Sequence, residues 1–168
     1  MFQIGDMVKH MGEGVCKITD IRMEKFSARE KQFYILQTVY DAGKTTLYVP
    51  VDGEKATLQS ILSREEILQI IHTVSLDETA WIENNTQRQT VFTDILRRGD
   101  QRELIQLIVL LYQKKMEKGQ TGKSLCSGDM QILQKAEKRI HEEFASALKL
   151  ELQEIAPFIM RELEIKPL

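Results

Sequence analysis

Three histidines, two cysteines and one pair of closely spaced glycines are the first residues to weigh for chemistry. His10, His72 and His141 show none of the short intervals that bring two imidazoles onto one metal ion. Gly12-x-Gly14 lacks the further glycine and the lysine of a phosphate-cradling loop. No serine or cysteine stands in a recognisable nucleophile context. Cys16 and Cys126 lie far apart with no C-x-x-C spacing, and they read as two reduced, buried thiols of a cytoplasmic protein. These residues predict neither catalysis nor a bound metal or cofactor.

Charge and one aromatic ring say more. The net charge of −2 does not announce a nucleic-acid binder, but its distribution is uneven. Between Arg88 and Lys123 stand eight basic residues (Arg88, Arg97, Arg98, Arg102, Lys114, Lys115, Lys118 and Lys123) against four acids. That local excess of +4 is a candidate face for phosphate, whereas Glu142 to Leu168 carries −3. Arg88, Arg97, Arg98, Lys114, Lys115, Lys118 and Lys123 are the phosphate candidates; contacts of this kind position a protein on a duplex without reading its sequence. Trp81, the only tryptophan, lies in the polar stretch just before them.

The elements that must position these residues come in two kinds. Up to Pro50 the chain reads as five short strands: Phe2 to Ile4, Met7 to His10, Val15 to Ile21, Gln32 to Tyr40 and Thr45 to Pro50. Val15, Ile18 and Ile21 follow a mixed period that suits a strand only with a bulge. Asp41 to Lys44 reads as a hairpin loop with Gly43 at a positive φ, and Pro50 belongs at an edge or strand end. Strands this short with loops this tight are expected to curl into a small barrel.

Near residue 60 the period changes, after a turn at Asp52 to Lys55 and a short apolar joint from Ala56 to Leu62. Ser63-Arg64-Glu65-Glu66 fits a capping box and predicts a helix from Arg64 to His72, and Ser75 to Glu78 repeats the signal. Ala80 to Asn85 is poor in helix signal; Arg88 to Arg98 regains it and stops at Gly99, a left-handed cap. Asp100-Gln101-Arg102-Glu103 starts the strongest helix, through Leu104, Leu107, Ile108 and Leu111, apolar on most of its circumference and closed near Lys118-Gly119. A long amphipathic helix follows through Ile132, Leu133, Ala136, Ile140 and Phe144, then a final helical stretch from Ala145 to Ile165 that Pro157 should bend or split. No apolar run approaches the length of a membrane span, and no secretory signal is visible.

The run Phe2-x-Ile4-Gly5-Asp6-x-Val8, Gly12-x-Gly14-Val15, Phe33-Tyr34-Ile35-Leu36 and Val49-Pro50-Val51-Asp52 resembles the Tudor-like N-terminal domain of the CarD/CdnL family of bacterial transcription regulators. Asp94-Ile95-Leu96-x-x-Gly99-Asp100 and Leu125-Cys126-Ser127-Gly128-Asp129 through Ala136 and Glu143 resemble that family's all-α C-terminal domain. The resemblance implies an α+β chain of two domains, a Tudor/SH3-like antiparallel barrel over 1–60 and an all-α domain over 61–168. It implies that the barrel binds the RNA polymerase β subunit, with Lys25, Phe26, Tyr48, Val49 and Pro50 at the contact, and that the helical domain stabilises the open promoter complex.

It also implies that Trp81 wedges into the minor groove beside melted DNA, where a flat apolar ring holds a distorted base step open. The chain departs from the pattern in two places. Glu24 and Tyr48 occupy positions that are commonly basic, and Trp81 precedes Gly99 by 18 residues, followed by Ile82-Glu83-Asn84-Asn85 where arginines are usual. The expected protein is a cytoplasmic monomer whose DNA contact is weak and salt-dependent on its own. The alternative is a polymerase-bound adaptor whose helical domain binds another protein.

Overall fold

The computed structural model describes residues 1–26, 29–42, 44–53, 58–76 and 80–164, and for Phe26 and Arg29 the backbone alone. Alternating β-formers between tight turns give five antiparallel strands: β1 (Met7–His10), β2 (Gly14–Phe26), β3 (Arg29–Thr38), β4 (Thr46–Pro50) and β5 (Leu58–Ser60). They lie in the order β4-β3-β2-β1-β5. The mixed period of β2 has the expected cause. Its register against β3 slips between Ile18 and Asp20, leaving Thr19 as the extra residue, whose hydroxyl donates to the Ile35 carbonyl at 3.1 Å. The slip lets Ile18 and Ile21, three apart, share one core with Val8, Cys16, Tyr34, Leu36 and Val49.

Two expectations about this sheet fail. Phe2 to Ile4 is not a strand: the chain turns at Gly5 (φ 97°), the Phe2 amide donates to the Tyr34 hydroxyl at 3.2 Å, and the two rings meet edge to face. The fifth strand comes instead from Leu58–Ser60, which pairs with β1 where an apolar joint was expected, because Leu58 packs against the same core. Nor does the sheet close into a barrel among the described residues; β4 and β5 are its two edges. Gly43, Glu54, Lys55 and Ala56, on which a hairpin loop, a turn and the joint were placed, lie outside the described residues.

The remaining elements are helices: α1 (Arg64–His72), α2 (Asn85–Arg98), α3 (Gln101–Gln120), α4 (Ser127–Leu148) and α5 (Leu152–Glu162). The chain forms two compact units. The first comprises Met1–Ser63 with Glu142–Leu150, and the second Arg64–His141 with Glu151–Leu168. In the second, α3 buries Leu104, Ile105, Leu107, Ile108, Leu110 and Leu111 and packs on α1 and α2, the central role its wide apolar stripe predicted. Asp100 caps it, accepting from the amides of Arg102 and Glu103, and Gly99 ends α2 at φ 71°.

The helix boundaries differ from expectation at two points. α2 starts at Asn85, earlier than its apolar spacing indicates, because the Asn84 side chain caps it by accepting from the Gln87 amide at 2.9 Å. The break after the long helix falls at Lys149 (φ 56°) and not at Pro157, which sits inside α5. Pro157 is the sixth of the eleven residues of α5, so it withholds one interior hydrogen bond without ending the helix. The second half of the capping signal at Ser75 to Glu78, and Ile165, lie outside the described residues.

Within the first unit, Lys9 of β1 pairs with the buried Glu143 at 2.7 Å. Gly14 opens β2 at φ 78°, and a Cβ there would stand 2.6 Å from Glu142 Oε2. Gly5 is also at positive φ, with open space around it. Replacing Gly5 by Ala should therefore cost the backbone strain alone, about 1–3 kcal/mol. Gly14→Ala should cost measurably more, since the buried Glu142 must also move; equal losses in denaturant unfolding would refute the contact.

Cys16 is fully buried, and burial first, then Glu13 and Glu142, pushes its thiol up to about 11 from the ordinary 9.0. Cys126, expected to be buried, is exposed instead. A raised thiol pKa means the folded state disfavours the thiolate, so stability held below pH 9 should fall as pH rises from 9 toward about 11. At pH 8 a thiol reagent should modify Cys126 in the native chain and reach Cys16 only on unfolding. Two fast-reacting thiols would contradict this.

Candidate functional site

Two charged residues of the second unit stand on apolar stripes. Arg88 shares the face of α2 that buries Phe92 and Ile95, and Asp129 lies on the α4 stripe through Ile132, Leu133 and Ala136. A charge out of water needs a partner, and each supplies the other's. Arg88 is 6% exposed and Asp129 1%. The guanidinium donates from Nε to Oδ1 at 3.1 Å and from Nη2 to Oδ2 at 2.9 Å, the fork geometry that arginine alone offers a carboxylate.

The other Arg88 donors are used as well. Nη1 donates to the carbonyls of Ile82 (2.8 Å) and Glu83 (3.2 Å), and Nη2 also donates to Asn85 Oδ1 (2.9 Å). All five N–H groups of the side chain therefore have acceptors. Gln89 Nε2 adds a 2.6 Å hydrogen bond to Asp129 Oδ1. Hydrogen bonding to Asp129, the largest effect, raises the Arg88 pKa and keeps the guanidinium charged against the cost of its burial.

Trp81 sits on this framework, in the segment just before α2, and is partly buried. Arg88 Cζ lies 4.3 Å from the centre of its ring, Lys114 Nζ 5.5 Å, and Phe92 meets it edge to face at 6.3 Å. The tryptophan thus joins α2 and α3 and is only partly buried.

The basic residues divide accordingly. Arg88 is not a phosphate contact: it is buried, and every donor is occupied inside the protein. Arg97 is 75% exposed along its side chain but pairs with Asp94 at 2.7 Å, and its hydrogen bond is the main cause of the lowered Asp94 pKa. Arg98 clamps Glu103 with two hydrogen bonds, 2.8 and 3.0 Å, and also bonds Asp94. Lys114 pairs with Glu117 at 2.7 Å, and Lys115 lies 5.8 Å over the Tyr112 ring. Lys118, partly exposed, and Lys123, exposed, complete the set. Arg88 and Lys114 are the two of these brought beside Trp81; Lys118 follows Lys114 one helical turn on along α3.

On the first unit, Tyr48 and Pro50 face outward from the edge strand β4, Tyr48 being 46% exposed with its hydroxyl 3.4 Å from Arg22 Nη2. Lys25 is exposed on β2, across from Glu30. The Phe26 side chain lies outside the described residues. Val49 does not belong with these surface residues: it points into the core, 9% exposed, because successive residues of β4 face opposite sides.

Reading by residue type missed Asp129, Gln89 and Asn85 altogether. The available signal was the placement of Arg88 and Asp129 on apolar stripes, which marks a buried pair and not a solvated face. Among the described residues no three His, Cys, Asp or Glu side chains are grouped to hold a metal ion, and no helix is long and apolar enough to cross a membrane.

Residues 2–62 match the CarD-like/TRCF RID domain, which makes that part of the chain CarD-like. The helices beyond Ser63 lie outside the match, and no curated protein matches the chain.

Breaking the buried pair should be expensive. Arg88→Ala leaves the Asp129 carboxylate buried without its partner and should cost about 3–5 kcal/mol. Arg97→Ala, which removes an exposed pair, should cost at most about 1 kcal/mol. Similar small losses for both in urea unfolding would show that Arg88 is not held as described.

Proposed function

We propose that this chain is a bacterial, cytoplasmic transcription regulator that docks on the RNA polymerase β subunit through its sheet unit and stabilises the open promoter complex through its helical unit. The observation that carries the reading is the match of residues 2–62 to the CarD-like/TRCF RID domain, a polymerase-interacting module and not a catalytic one. The edge strand β4 supports it, offering an unpaired strand side with Tyr48 and Pro50 exposed, the kind of edge to which another protein can add a strand.

The DNA contact is assigned to Trp81 with Lys114, and to Lys115, Lys118 and Lys123 on the same stretch of chain. A partly exposed tryptophan beside a cation suits a distorted base step next to phosphate. Arg97 and Arg98 contribute little net charge, being matched by Asp94 and Glu103. That internal pairing favours a second reading, in which the helical unit binds another protein. Salt separates the two, since a phosphate contact weakens steeply as salt rises.

The test pairs two variants on the full chain. Tyr48→Glu should weaken capture of core RNA polymerase while leaving the thermal melt near that of the wild type. Trp81→Ala should leave capture intact and shorten the half-life of open complexes on a weak promoter. An unchanged half-life with folded protein would sink the DNA assignment, and undiminished capture by Tyr48→Glu would remove β4 from the docking surface.

A further inference from the structure

The geometry points to Arg88, held by Asp129, as the positioning residue for Trp81. This rests on the reading that Trp81 is the side chain that meets DNA. Trp81 is followed by Ile82 and Glu83 in a segment that is neither helix nor strand, so no regular ladder of backbone hydrogen bonds fixes the ring. The fixing comes from Arg88, in two ways. Its Nη1 donates to two successive carbonyls directly after the tryptophan, Ile82 and Glu83, and its planar guanidinium lies 4.3 Å from the ring centre. One side chain therefore holds both the backbone of the segment and the face of the ring.

Arg88 can do this only while its own plane is fixed. Asp129 supplies that through the bidentate pair, and Gln89 and Asn85 brace the two ends of it. Lysine would keep the charge toward Asp129, but it lacks the planar fork that serves two carbonyls and stacks on indole at once. Charge and positioning can thus be separated at this residue.

The chain has a single tryptophan, so its fluorescence reports this site alone. Arg88→Lys in the full-length protein, free of DNA, should raise the acrylamide quenching constant of Trp81 about twofold or more, since cation–π contacts bias populations by roughly two- to thirtyfold. Circular dichroism should stay that of a folded helical protein. On promoter DNA with polymerase, the open-complex half-life should fall toward that of Trp81→Ala, while polymerase capture is unchanged. Arg97→Ala, which removes a cation remote from the ring contacts, should move neither signal.

A folded Arg88→Lys protein with wild-type quenching overturns the positioning role whatever Trp81 does. Raised quenching with a wild-type half-life also overturns it if Trp81→Ala shortens that half-life. If Trp81→Ala leaves the half-life unchanged as well, the positioning stands on its quenching and the DNA reading is what fails. Should Arg88→Lys not fold, Asn85→Ala takes its place under the same criteria, because it removes one acceptor of the guanidinium from an exposed position.

Discussion

The helical unit depends on one ion pair placed where charges are costly. Arg88 and Asp129 come from helices whose residues are 41 apart in sequence, and both are out of solvent. A buried pair of this kind adds little net stability over an apolar pair of the same shape, because desolvation cancels most of the attraction. It adds direction. An apolar contact between α2 and α4 would tolerate sliding, whereas five donors with fixed acceptors allow one register and one orientation. The acceptors that are not Asp129 lie at the start of α2 and in the segment before it. The pair therefore specifies a loop as well as a helix packing, and that loop carries the only tryptophan.

The sheet unit is organised by a different constraint. Five strands, β2 and β3 long and β2 bulged, bury a small core and leave two edges among the described residues. β5 is only three residues long, a short edge that offers little to a neighbouring chain, whereas β4 is longer and carries its aromatic outward. Val49 and Tyr48 show the division within one strand: the first completes the core and the second faces outward. Glu142–Leu150 belongs to this unit too, tied in by Lys9 and Glu143 and fitted against Gly14, where no side chain has room. The residues that match the RID domain thus fold together with a segment far from them in sequence.

Most of the secondary structure was legible because it follows from local rules. The β2 bulge was visible in the spacing of Ile18 and Ile21, the α2 stop in Gly99, the α3 start in Asp100 and the central place of α3 in its wide apolar stripe. What stayed illegible depended on tertiary partners. Leu58 is one apolar residue in a short segment, and only the unpaired side of β1 makes it a strand. Pro157 looked like a break because proline disfavours helix interiors, but the chain had already broken at Lys149. Arg88 was grouped with surface cations because residue type does not reveal burial; its acceptor lies on another helix. Cys126 was misplaced for the converse reason, an apolar residue type left exposed where α4 begins.

The pairing of charges also sets what kind of DNA contact the proposed function can involve. With Arg88 internal and Arg97 and Arg98 matched by acids, the phosphate candidates left beside and beyond Trp81 are lysines, one of them shared with Glu117. Three or four phosphate contacts, which would give a salt slope of about −3, are too few for tight binding in isolation. Lysines also lack the fork with which arginine reads guanine edges, so such a surface would not choose a sequence. Both properties fit a protein that is delivered to its site. Docking through a linked unit turns the second contact into an intramolecular one at millimolar effective concentration, where even weak contacts are populated. A ring held in place beforehand then has its ordering cost met in the free protein, and the little affinity that remains acts on the shape of the DNA. Under the proposed function, sequence choice would fall to the polymerase, and the tryptophan's part would be to favour distorted DNA over the closed duplex.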